Sequence, residues 1–142
     1  MTETRTEVRI ERTVGAPPER VYAAWTDPAL MNRWFCPNPA LALDVTADVV
    51  VGGAYRVDMG EGRYVAEGMY TELDPPRVVA FTWRWVTSDV SALDPVTEVR
   101  VELNPADNGT RLVLVQTGLA DREDAEGHRE GWELMLDRLP VV

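Results

Sequence analysis

Between residues 41 and 117 apolar and polar side chains largely alternate, whereas from 122 to 139 the apolar ones recur every three or four positions. This change of period constrains the fold more than any other feature. Alternation marks half-buried strands, and recurrence near 3.6 residues marks a helix with one apolar face. Ala125, His128, Trp132, Met135, Leu136 and Leu139 form that face. The helix is expected over residues 122–139 and spans ~27 Å at 1.5 Å per residue. Asp121 can cap it, with Asp124 placed three residues on in the manner of a capping box, and Pro140 ends it.

The remaining elements follow from turn chemistry. Residues 4–14 alternate, with Val8, Ile10 and Val14 opposed to Glu7, Arg9 and Glu11, and Gly15, Pro17 and Pro18 stop that strand. A short helix over 19–26 follows, and Asp27-Pro28 restarts a second one that runs through Met31 and Trp34 to near Phe35. Strands are then expected over 41–45, 54–59, 63–73, 77–86, 96–103 and 111–117. Gly60-Glu61-Gly62 and Asp74-Pro75-Pro76 supply turns, Asn108-Gly109 a hairpin, and Ser88 to Asp94 a loop. An antiparallel sheet of about six or seven strands with its helices on one face is the α+β solution to this order.

Charge and cysteine content narrow the function. A net charge of −10 lacks the positive footprint that nucleic acid or an anionic membrane surface requires. Cys36 is the one cysteine and His128 the one histidine, so no intrachain disulfide and no transition-metal site is expected. The first residues, MTETRTEVRIERTV, lack the apolar stretch of a signal peptide, and no run approaches the ~20 apolar residues of a membrane span. A cytoplasmic protein forming a single domain over residues 1–142 is expected.

Five stretches carry a resemblance when taken in order: APPERVYAAWTDPALMNRWF, VGGAYRVDM, ELDPPRVVAFTWRW, GTRLVLVQTGL and GHREGWELMLDRL. Together they resemble the START-like or SRPBCC superfamily, and within it the family named after activators of the heat-shock-protein-90 ATPase. The resemblance implies a helix-grip fold, in which a curved sheet wraps a long C-terminal helix over a cavity. Many relatives bind apolar or amphipathic small molecules there. It implies no particular reaction, because members include carriers, cyclases, dehydratases and co-chaperone-like proteins. Where relatives often have a histidine late in the last strand, this chain has Gln116, which hydrogen-bonds but does not titrate.

Candidate cavity residues are aromatic or polar. Trp34, Phe35, Tyr55, Tyr70, Phe81, Trp83, Trp85 and Trp132 offer large apolar areas, with polar handles on Tyr and Trp. Arg56, Asp58, Glu67 and Gln116 are the polar strand candidates. The side that Glu67 faces is open, because Val65, Met69 and Leu73 share its parity while Tyr64 and Tyr70 oppose it. His128 lies on the helix stripe, and Gly127 and Gly131 serve either close packing or space for a ligand. Cys36 sits at a helix end, where no helix N-terminus activates its thiol.

The expected function is binding of a hydrophobic or amphipathic small molecule, with no catalytic residue, metal or cofactor assigned. Two alternatives stand beside it. One is a cyclase, hydratase or isomerase using Glu67, His128 or a tyrosine, and the other is an interaction protein acting on a chaperone ATPase. A homodimer through the sheet or an edge strand is left open.

Overall fold

Seven strands hydrogen-bond in the order β1-β7-β6-β5-β4-β3-β2, every neighbouring pair antiparallel. They are β1 (Glu7–Val14), β2 (Leu43–Ala47), β3 (Ala54–Met59), β4 (Tyr64–Asp74), β5 (Val78–Thr87), β6 (Thr97–Ala106) and β7 (Gly109–Thr117). Helices α1 (Pro18–Thr26) and α2 (Pro28–Met31) follow β1, and α3 (Arg122–Leu136) follows β7. The structure is a computed structural model that describes residues 6–88 and 96–139. Thr4, most of the loop expected from Ser88 to Asp94, and Pro140 lie outside the described residues. The sheet is curved and the arrangement is a helix-grip fold.

Alternation dictates which strand faces turn inward. Val8, Ile10 and Val14 of β1 are buried, as are Tyr55, Val57 and Met59 of β3 and Val99, Val101 and Leu103 of β6. The stripe on α3 meets them with Ala125, His128, Trp132, Met135 and Leu136, and Leu139 is buried just beyond the helix end. Asp121 caps α3 by accepting from the Asp124 N–H at 2.8 Å. The reciprocal arm of the expected box reaches one residue further back, from the Ala120 N–H to Asp124 Oδ2 at 3.3 Å. Arg12 pairs with Asp137 at 2.5 Å, tying the end of α3 to β1.

Three expected boundaries shift. The second helix stops at Met31 after one turn instead of reaching Phe35. Asn32 explains the stop: its Nδ2 donates to the Pro28 carbonyl at 2.8 Å while its Oδ1 accepts from the Val45 N–H at 2.9 Å. The chain is thereby fastened to β2, and both Trp34 and Phe35 drop into the core. The long helix ends at Leu136, with Asp137 and Arg138 in a turn.

The third shift is at the last hairpin, where Ala106 pairs with Gly109, so the turn is Asp107–Asn108 and not Asn108–Gly109. Gly109 is needed for another reason. Its φ is +148°, and a Cβ there would lie 2.0 Å from the Val14 carbonyl oxygen.

Aromatic rings fill much of the space between helix and sheet. Trp25 sits among them, with ring centroids 4.8 Å from Trp34, 5.7 Å from Phe35 and 5.9 Å from Trp132. Tyr70 packs beside Tyr55 and Phe81, and its hydroxyl is buried without a hydrogen-bond partner among the described residues. Burial, helped by the neighbouring Tyr22, pushes its phenol up to about 12.

Two results are expected from Tyr70→Phe. Removing an unsatisfied buried hydroxyl leaves stability unchanged or raises it by ~1 kcal/mol. The raised phenol also gives the folded protein an alkaline weakness. The unfolded chain releases this proton near 10.0 and the folded one near 12, so stability is complete below the lower value and is lost as pH rises through that window. Urea midpoints measured across the window are expected to fall less steeply in Tyr70→Phe, and parallel curves would disprove the assignment.

Candidate functional site

A cavity of about 280 Å³ lies under α3, beside the packed aromatic cluster. Among the described residues, four pieces of chain enclose it. Strand β5 contributes Trp83 and Trp85, two residues apart on one face, and the β3–β4 hairpin contributes Met59 and Tyr64. The segment after α2 brings Pro37, Asn38 and Leu41, while α3 brings Gly127, His128, Gly131, Trp132 and Met135.

The glycines make the opening. A Cβ at Gly127 would find nothing within 4 Å, and one at Gly131 would touch only Pro37, at 3.8 Å. Neither position therefore serves close packing of helix on sheet, the first of the two roles open in the sequence. Both leave the helix narrow beside the cavity, Gly131 where it faces Pro37. Each glycine weakens the helix by roughly 1 kcal/mol relative to alanine, a cost set against an open mouth.

The polar groups around the cavity are largely engaged with one another. Trp85 Nε1 donates to His128 Nε2 at 2.9 Å. An indole N–H only donates, so Nε2 is the acceptor and the imidazole proton sits on Nδ1. Nδ1 in turn lies 2.8 Å from the Asp124 carbonyl oxygen and 3.4 Å from its carboxylate. His128 is thus a wall residue with both ring nitrogens hydrogen-bonded. To act as a base it must first lose Trp85.

Behind the wall runs a buried relay. Trp132 Nε1 donates to Gln116 Oε1 at 2.8 Å, Gln116 Nε2 donates to Thr97 Oγ1 at 2.9 Å, and Thr97 donates to the Trp83 carbonyl at 2.9 Å. Gln116 joins helix to sheet and does not line the cavity.

Of the candidates read from the sequence, Trp83, Trp85, His128 and Trp132 meet at the cavity together with Gly127 and Gly131. Trp34, Phe35, Tyr55 and Phe81 are buried in the adjoining aromatic core instead. Tyr55 fixes its position by donating to the Thr82 carbonyl at 2.6 Å. Glu67 faces out and pairs with Arg56 across the strands at 2.9 Å, both about half exposed. Its sidedness was ambiguous because β4 shifts register at Val65/Ala66 and again at Tyr70/Glu72, so inward and outward parities change along one strand. Asp58 also turns away and accepts from the Gly62 N–H at 2.6 Å, fastening the hairpin. Cys36 is buried, which pushes its thiol pKa up.

Pro37, Asn38, Leu41, Met59 and Tyr64 were not foreseen as lining. Met59 shares the parity of Tyr55 and Val57, a usable signal. The 37–41 segment carries no periodicity, and only its closure over α3 reveals it. Arg138 makes that closure by donating to the Cys36 carbonyl. Among the described residues no group of three or more His, Cys, Asp and Glu could hold a metal ion, and no helix is long and apolar enough to cross a membrane.

Comparison with known proteins adds the following. Residues 15–142 match the family model described as activator of Hsp90 ATPase homolog 1-like protein. Protein CV1439 from Chromobacterium violaceum is 29% identical with a TM-score of 0.81, covering 96% of this chain and 95% of that one. A protein of unknown function, SA2116 from Staphylococcus aureus, is 26% identical with a TM-score of 0.77 over 96% of this chain and 91% of its own. CalU16 from Micromonospora echinospora is 26% identical with a TM-score of 0.73 over 96% and 75%. No curated protein gives a significant match.

Proposed function

The chain belongs to the activator of Hsp90 ATPase homolog 1-like family, and from that premise we propose that it binds a hydrophobic small molecule in the cavity beneath α3 without forming a bond to it. The supporting observation is the cavity itself: about 280 Å³, walled by three tryptophans, two methionines and a leucine, and opened by two helix glycines. Ligand sites are typically apolar and concave with a few polar groups, and their volumes begin near ~300 Å³. The family fold commonly holds hydrophobic ligands, which fits that lining.

An acid–base enzyme needs two free polar groups converging on one point. Here His128 and Trp85 satisfy each other, Glu67 lies outside, and among the described residues no second acid–base group with a free polar atom lines the cavity with Tyr64, so no observation favours that reading. None favours a chaperone partner beyond the family's name.

Gly131→Leu tests the proposal directly. Leucine at this position meets Pro37 and fills the mouth, while its higher helix propensity supports the fold. Native mass spectrometry of the purified protein is expected to show a co-purified small molecule, depleted about tenfold or more in the variant. Equal retention by both proteins would place the ligand elsewhere and end the proposal.

A further inference from the structure

Among the described residues the cavity's walls carry no Lys, Arg, Asp or Glu, and the imidazole of His128 has both nitrogens engaged within the protein. Trp132 Nε1 is held by Gln116, and Trp83 Nε1 is buried, without a partner among the described residues. Among the described residues, an anionic group pushed to the floor of this cavity would therefore meet no cation and no free donor, and a cationic one would meet no carboxylate. Burying such a charge unpaired is far more costly than burying an apolar surface.

Among the described residues, polar capacity is left at Asn38 and Tyr64. Asn38 is exposed, with its Oδ1 taken by the Ala40 N–H at 3.0 Å and its Nδ2 free among the described residues. Tyr64 is half-buried in the same lining, and among the described residues its hydroxyl has no hydrogen-bond partner, although Arg63 lies over its ring at 5.2 Å. Trp83, Trp85 and Trp132 supply the aromatic surface of the same cavity.

We infer that the ligand is an uncharged aromatic molecule on the order of one or two rings, inserted ring-first, with a single polar group hydrogen-bonded at the mouth by Tyr64 and Asn38. This rests on the binding reading above and goes beyond it by excluding carboxylates, phosphates and ammonium ions from the same cavity. The protein's net charge of −10 would by itself favour cations, so discrimination against them must come from the walls.

Three matched probes separate the possibilities: 2-naphthol, 2-naphthoate and 2-naphthyltrimethylammonium, each titrated into the full chain by calorimetry. The indole N–H resonances of Trp83, Trp85 and Trp132 are followed in parallel by NMR. Naphthol is expected to bind and shift these resonances, with both ions weaker by about a hundredfold or more, the scale of an unpaired buried charge. Tyr64→Phe is expected to weaken naphthol by roughly two- to tenfold and to leave methylnaphthalene unchanged, as the loss of one hydrogen bond requires.

Either ion binding as tightly as naphthol overturns the inference and leaves the binding proposal standing. Equal losses for naphthol and methylnaphthalene in Tyr64→Phe overturn the mouth assignment. If no probe binds or shifts the indoles, the binding proposal falls, and this inference with it.

Discussion

Trp132→Ala is expected to destabilise the protein by ~4 kcal/mol, the usual scale for deleting a buried indole. Trp132 is almost wholly buried and contacts Trp25, Phe35 and Trp83 at centroid separations of 5.6–5.9 Å. The substitution removes this packing and also orphans the Gln116 carbonyl. Trp132→Phe separates the two contributions. It keeps an aromatic ring but loses the N–H and part of the indole's volume, so it is expected to cost ~2 kcal/mol, shared between the unsatisfied amide and the smaller ring. Adding Gln116→Leu removes the orphan, and Thr97 still donates to the Trp83 carbonyl. The double variant is therefore expected to be more stable than the sum of the singles by ~1–2 kcal/mol. Urea denaturation of the four proteins measures this coupling, and strict additivity would show that the relay contributes nothing.

Gly68→Ala is expected to cost ~3 kcal/mol, at the upper end for an inserted methyl group. A Cβ at this position would lie 2.0 Å from the Thr82 carbonyl oxygen and 2.7 Å from the Tyr55 ring. The first obstacle is backbone, so no side-chain rotation relieves it. The neighbouring strand must move, and with it the Tyr55 hydroxyl bond to the same carbonyl. Denaturation midpoints compared with Tyr55→Phe check this cause. A Gly68→Ala protein as stable as the parent would mean that β4 and β5 are not held this close.

Much of the architecture was legible in the residues because burial leaves a period. The strands, the α3 stripe and the Asp121 cap all follow from side chains that repeat or stand at fixed offsets. What escaped has no period. The early stop of α2 depends on Asn32 reaching β2, thirteen residues away, and the turn at Asp107–Asn108 depends on Gly109 clearing β1.

The candidate site was legible in part for the same reason. Trp83, Trp85, His128 and Trp132 share faces with obvious core residues, whereas Pro37 and Asn38 reach the cavity only through tertiary closure. Aromatic composition also did not distinguish a wall from a filling. Phe81 and Trp83 occupy one face of one strand, yet the first is packed solid and the second borders open space.

The pairing of β1 with β7 has a consequence for assembly. These strands are separated by nearly the whole sheet in sequence, yet they register residue by residue from Glu7 with Thr117 to Val14 with Thr110. On a ribosome the earlier strand waits for its neighbour until almost everything else has emerged. Val8, Ile10 and Val14 stay uncovered throughout that delay, and contacts so distant along the chain slow the closing step. The charged residues that alternate with them, Glu7, Arg9 and Glu11, keep the waiting segment from pairing with a neighbouring nascent chain.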